Sequence, residues 1–102
     1  MAGPTQPVTL NEEWSDERVR SWLDVRPYDD TPVAYHILLK AYEAMLPEHF
    51  ERFLRFYKEA GHDPNTRNQQ GNTFLDRVSQ HAQSQAFVKL LRDAGAKLSS
   101  EL

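Results

Sequence analysis

The chain has 102 residues, 39% hydrophobic content and a formal charge of −3. That length suits one domain, and an apolar share below the ~45–50% of typical domains implies a thin or elongated core. The absence of cysteine excludes disulfides, thiol nucleophiles and cysteine-ligated metals, and no apolar run approaches the ~20 residues of a membrane helix.

Residues 1–11 contain Gly3, Pro4 and Pro7 without periodicity, which predicts a flexible tail ahead of one domain over 12–102. The stretch "MAGPTQPVTLNEEW" has neither a basic start nor an apolar segment, so no secretory signal and a cytoplasmic location are expected. A first short helix is predicted over Asp16–Val25. Ser15 suits its N-cap, because the hydroxyl can accept from an otherwise unpaired amide. Trp14 and Val19 sit at hydrophobic-staple positions, and Val19, Trp22 and Leu23 share one face. "RPYDD", Arg26 to Asp30, reads as a turn from its Pro and Asp content.

In "TPVAYHILLKAYEAML", Thr31 is a candidate cap and Pro32 fits a first helical position. Val33, Ile37, Leu38, Ala41, Met45 and Leu46 supply an apolar stripe, and Pro47 should end this helix or open the next. The third helix, "EHFERFLRFYKEA", places Phe50, Phe53, Leu54 and Tyr57 on one buried face. Gly61 ends it, as a glycine just beyond a helix does. "HDPNTRNQQGN" is turn chemistry throughout. A fourth helix, "TFLDRVSQHA", starts at Thr73, with Asp76 three residues on as an approximate capping box. A fifth, near Gln85–Ala94, aligns Phe87, Leu90, Leu91 and Ala94, and Gly95 ends it.

The third and fifth helices therefore end alike, in "EAGHDPN" and "DAGAKL", with Gly61 and Gly95 lying 34 residues apart. That spacing is close to the ~33-residue ankyrin period. "GNTFLDRVSQHAQSQAFVKLLRDAGAKL", Gly71 to Leu98, resembles an ankyrin repeat nearly end to end. Thr73-Phe74-Leu75-Asp76 stands where the family has Thr-Pro-Leu-His. Leu90-Leu91 and Gly95-Ala96 stand at its Leu-Leu and Gly-Ala. "FLRFYKEAGHDPNTRNQQGNT" looks like the end of one repeat, a connecting finger and the start of the next. Thr31-Pro32-Val33-Ala34 resembles the earlier opening. Phe74 and Asp76 depart from the family's Pro and His. Thr31 to Gly61 spans 30 residues and Thr73 to Gly95 spans 22, which puts about eight extra residues around Lys40–Leu46. The resemblance implies an all-α fold of stacked helix-turn-helix repeats with short finger loops, as a cap helix at 15–25 and repeats at 29–65 and 68–98. The cap helix reads as the second helix of a degenerate first repeat. One helix pair cannot bury its apolar face alone, and roughly three units are needed. The last repeat shows no obvious polar cap, so Phe87 or Leu98 is expected to be partly exposed.

Catalytic and metal chemistry find little support. His36, His49, His62 and His81 are separated by 13, 13 and 19 residues, without the i, i+4 pairing of a helical zinc site. Ser79 and His81 are two apart and point about 200° apart on a helix, so with Asp76 they do not form a hydrolytic trio. Gly61, Gly71 and Gly95 form no phosphate loop, and Asp29-Asp30 reads as a turn. The expectation is a non-enzyme without cofactor or metal.

Charge is uneven, with seven acids and three arginines over residues 1–31 and eight acids against nine Lys or Arg over 32–102. Neither part has the basic excess of a nucleic-acid binder, while the acidic end would steer a basic partner. Ankyrin repeats bind proteins with finger tips and the concave face of their first helices. By position the resemblance nominates Arg67, Asn68, Gln69, Gln70, Arg77, Gln80 and His81, and less directly Tyr35, Leu39 and Lys40. The expected function is a non-catalytic protein-interaction module acting as an adaptor, inhibitor or neutralising protein. The alternatives are a structural homo-oligomer, such as a homodimer through its exposed end, and more remotely a small hydrolase.

Overall fold

The computed structural model describes residues 14–82 and 84–102. The expected tail at 1–11 lies outside them. The described order is α1 Asp16–Ser21, a 3-10 turn Trp22–Asp24, α2 Val33–Ala44, α3 Pro47–Glu59, α4 Phe74–Val78, α5 Gln85–Asp93 and a 3-10 turn Ser99–Glu101. The fold is all-α. Among the described residues no strand forms, and an antiparallel bridge between Arg67 and Thr73 is the extent of β pairing.

Local chemistry sets these boundaries. The Arg18 amide donates to Ser15 Oγ at 3.1 Å, so Ser15 caps α1 as expected. Trp14 stacks on Trp22, with centroids 6.4 Å apart, and on His49 at 5.3 Å. The α-helix is shorter than the predicted 16–25. It tightens at Trp22, and Pro27 disfavours a helical Arg26. The Arg26 guanidinium instead donates to the carbonyls of Leu23 and Val25. Thr31 does not cap α2. Its amide donates to Asp29 Oδ1 at 3.0 Å, and Pro32 takes the cap position. Pro47 opens α3, where its missing N–H is harmless. α4 stops at Val78 rather than near Ala82. There the Ser79 hydroxyl donates to the Leu75 carbonyl at 2.7 Å, and the next amides make i→i−3 bonds to Arg77 and Val78.

The two like endings in the sequence are like endings in space. The Gly61 amide donates to Lys58 and the His62 amide to Tyr57, while Gly95 donates to Arg92 and Ala96 to Leu91. Each is the same glycine-terminated helix stop, with paired bonds back to the last turn. Both glycines require positive φ, 91° at Gly61 and 100° at Gly95. A Cβ at Gly95 would meet no atom within 4 Å, so strain alone is at stake. Gly95→Ala is accordingly expected to destabilise the fold by roughly 1–2 kcal/mol, read as a fall in urea midpoint without a change in slope. An unchanged midpoint would contradict this helix ending.

Packing joins these helices into two layers. α3 lies between α1 and α5, and α2 packs on α4 and on the Trp22–Asp24 turn. Within pairs, α2 packs on α3 and α4 on α5. One core runs through all five helices, from Val19 to Leu91 and Ala96. Phe50, Phe53, Leu54 and Tyr57 are buried as the helical spacing requires. Aromatic edges close the seams, with Phe74 against Tyr35 and Tyr42 and Phe87 against Tyr42 and Phe50. Much of the extra length of the earlier unit resides in α2, which has 12 residues where α4 has 5.

Phe87 and Leu98 are half-buried against the core. Beyond the last helix pair the chain closes with polar bonds. Glu101 accepts from the Leu98 amide at 2.7 Å and from Arg92 at 2.8 Å.

Candidate protein interface

The loop His62–Asn72 is built by its own side chains. Asp63 accepts from the Asn65 amide at 2.8 Å, and Asn68 Oδ1 accepts from the amides of Gln70 and Asn72 at 2.9 and 3.0 Å. The Asn68 amide donates to the Asn72 carbonyl, closing the tip. Asn65 then reaches the next helix pair, donating to Gly95 O at 3.1 Å and accepting from the Lys97 amide at 2.7 Å. Thr73 Oγ1 donates to the Lys97 carbonyl at 2.8 Å. Asp76 caps α4 through the Thr73 amide and holds the Ser99 amide, both at 3.0 Å.

These bonds divide the candidate contact residues. Gln69, Gln70, Arg77 and Gln80 are exposed. Arg67 is exposed and braces the loop by donating to Gly71 O at 2.7 Å. His81 is exposed, stacks on Tyr42, and its Nδ1 lies 3.0 Å from the Tyr42 hydroxyl, which also meets Ser84 Oγ at 2.5 Å. Leu39 and Lys40 are half-buried on α2, and Lys40 pairs with Glu43 at 3.6 Å. One candidate needs correction, and another is engaged within the loop. Tyr35 is 3% exposed, because its ring packs edge-on against Phe74. Asn68 is half-buried, with its carbonyl engaged by the loop and its Nδ2 3.4 Å from the Tyr35 hydroxyl.

Tyr28 is fully exposed in the loop between the Trp22–Asp24 turn and α2. It lines a shallow hollow of ≈290 Å³ with Trp22, Val25, Arg26, His36 and Lys40. The contact-residue prediction omitted Tyr28, although its place between Pro27 and two aspartates, off any apolar stripe, already argued against burial. The hydrolytic trio does not assemble. Ser79 donates to Leu75, Asp76 holds two amides and His81 faces Tyr42. The histidines occupy α2, α3, the turn after α3 and the turn after α4. His49 Nδ1 is buried and finds no hydrogen-bond partner among the described residues.

Carboxylates hold the loop region under opposing influences. For Asp76, burial pushes the pKa up, but bonds from Ser99 and the Thr73 amide, with Arg67 nearby, bring it below the ordinary value. The Thr31 amide and hydroxyl lower Asp29, and Arg92 with the Leu98 amide lowers Glu101. A carboxylate with a depressed folded pKa stabilises the fold above its unfolded value and loses that effect as pH falls through the folded value. Thermal melts by circular dichroism should therefore lose stability below about pH 4. Asp76→Asn should remove part of that slope and, through its weakened cap, lower neutral-pH stability by about 1 kcal/mol. Identical acid slopes in the two proteins would contradict the role of this carboxylate.

Comparison with known proteins finds no matching family model, no similar curated protein and no similar solved structure. Among the described residues no helix is long and apolar enough to cross a membrane.

Proposed function

We propose that the chain is a short, divergent ankyrin-like array that binds a protein partner without catalysing a reaction. It docks through the tip of the 62–72 loop and the exposed arc of α2 and α4. The supporting observation is a loop whose backbone is fixed from within while Gln69 and Gln70 at its tip stay exposed. Asp63, Asn65 and Asn68 make the internal bonds. Gln69, Gln70, Arg77 and Gln80 project from that frame into solvent. Such a frame lowers the ordering entropy of binding. Tyr28 offers an exposed aromatic anchor of the kind that dominates interface energetics. The resemblance to ankyrin repeats supplies the orientation of the surface, and the twin glycine endings support the repeat reading.

An adaptor, an inhibitor or a neutralising protein would each use this surface. The seven acids among residues 1–31 suit steering of a basic partner, and a cytoplasmic setting belongs to the same reading. The test is affinity capture with mass spectrometry, followed by a titration of the captured protein. Arg67→Ala, Arg77→Ala and His81→Ala combined should weaken binding roughly tenfold or more while circular dichroism stays unchanged. Undiminished binding would remove this surface from the reading.

A further inference from the structure

The outer surface of α3 and α5 carries a second pattern, separate from the loop tip. Two hollows of ≈240 and ≈260 Å³ lie along these helices and share Glu51 and Leu90, so they form one groove. Pro47, Leu54, Leu90 and Ala94 contribute its apolar floor. Its rims are charged in order, with Glu48 and Glu51 at one end of α3 and Arg55 and Lys58 at the other, and Lys89 before Asp93 on α5.

We propose that this face is an interface between two copies of the chain, packed antiparallel about a two-fold axis. The charge order is complementary to its own reversal. Turning α3 end over end about Phe53 sets Glu51 against Arg55 of the second copy and Glu48 against Lys58. Turning α5 about Leu91 sets Lys89 against Asp93. One axis serves both helices, because residues 36 and 37 positions apart lie side by side, as Lys58 does with Ala94 and Phe50 with Phe87. Phe53 therefore lies level with about residue 90, within roughly 1.5 Å of the α5 centre. Acids first and bases last on α3 also suit that helix's own dipole. α5 has the reverse order, which the dipole does not explain; there Lys89 Nζ pairs with Asp93 within the helix at 3.4 Å, so the dimer exchanges that pair for one across the interface.

Size sets the strength. α3 spans roughly 20 Å, and helices about 10 Å apart give a face on the order of 400 Å² per copy. Two such faces fall below the ~1,200 Å² of stable interfaces, so the dimer is weak and salt-sensitive. Sedimentation velocity over a micromolar-to-millimolar series should show reversible dimerisation that weakens with added salt. Glu48→Lys with Glu51→Arg, and separately Arg55→Glu with Lys58→Glu, should each weaken it roughly tenfold or more. An equimolar mixture of the two variants should restore a dimer, since at the four groove positions 48, 51, 55 and 58 one presents only bases and the other only acids. A monomer throughout the series, or variants that self-associate like the parent, would overturn the proposal. Should either variant fail to fold, amide NMR shifts of the parent chain across the same series decide the matter. Changes centred on α3 and α5 support the interface, and changes elsewhere or none refute it.

Discussion

Phe74→Ala is expected to destabilise the fold by about 3–5 kcal/mol, the range for deleting a buried aromatic ring. Phe74 is fully buried at the first position of α4. Its ring stands edge-on to Tyr35 and to Tyr42, each at 5.6 Å, and both partners belong to α2. Removing the ring opens a cavity at the seam between the two helix pairs, where a five-residue helix has few other apolar groups. A domain of this size holds roughly 5–15 kcal/mol in total, so the loss takes a large share. The melting temperature should fall by on the order of 20 °C. Phe74→Leu, which refills most of the volume, should cost under about 1.5 kcal/mol. If alanine and leucine variants melt alike and close to the parent, the ring does not hold α2 to α4.

Tyr57→Phe should cost about 1–3 kcal/mol, since it strips a buried donor and leaves acceptors behind. Tyr57 is completely buried, and its single hydroxyl proton is shared between the carbonyls of Ala34 and Asp63, each at 3.1 Å. One atom thus ties α3 to the start of α2 and to the loop that follows. Burial, with the charge of Asp63 adding to it, pushes the phenol's pKa well above its ordinary value. A group with a raised folded pKa contributes stability present below its unfolded value, near 10 for tyrosine, and lost as pH rises beyond it. The parent chain should therefore weaken in alkali above about pH 10. Tyr57→Phe should be weaker at neutral pH and lack that component of the alkaline loss. Urea titrations at pH 7 and above pH 10 test this, and equal alkaline slopes would rule it out.

Helix order and the buried stripe of α3 were legible because Phe50, Phe53, Leu54 and Tyr57 repeat at helical spacing around a single face. Gly61 and Gly95 were legible for a different reason, since a helix stop of positive φ favours glycine strongly. Helix ends were harder. Thr31 has the right chemistry for a cap, but Asp29 competes for its amide. Ser79 turns back on Leu75 in a way that composition does not reveal. Among the candidate contacts, Asn68 and Gln69 look equivalent as letters, yet one organises the loop and the other faces solvent. That distinction depends on where the chain returns after Gly71. Tyr35 misled for the same reason, because its neighbour in space is Phe74, 39 residues further along.

The stacking of Trp14 on Trp22 makes the chain's intrinsic fluorescence local. Both of its tryptophans sit at the α1 end, so emission reports the release of that helix, whereas far-ultraviolet dichroism averages over every helix. Because α1 packs chiefly on α3, the two signals need not move together. Emission changing at lower denaturant than dichroism would mark a terminal unit that opens ahead of the rest.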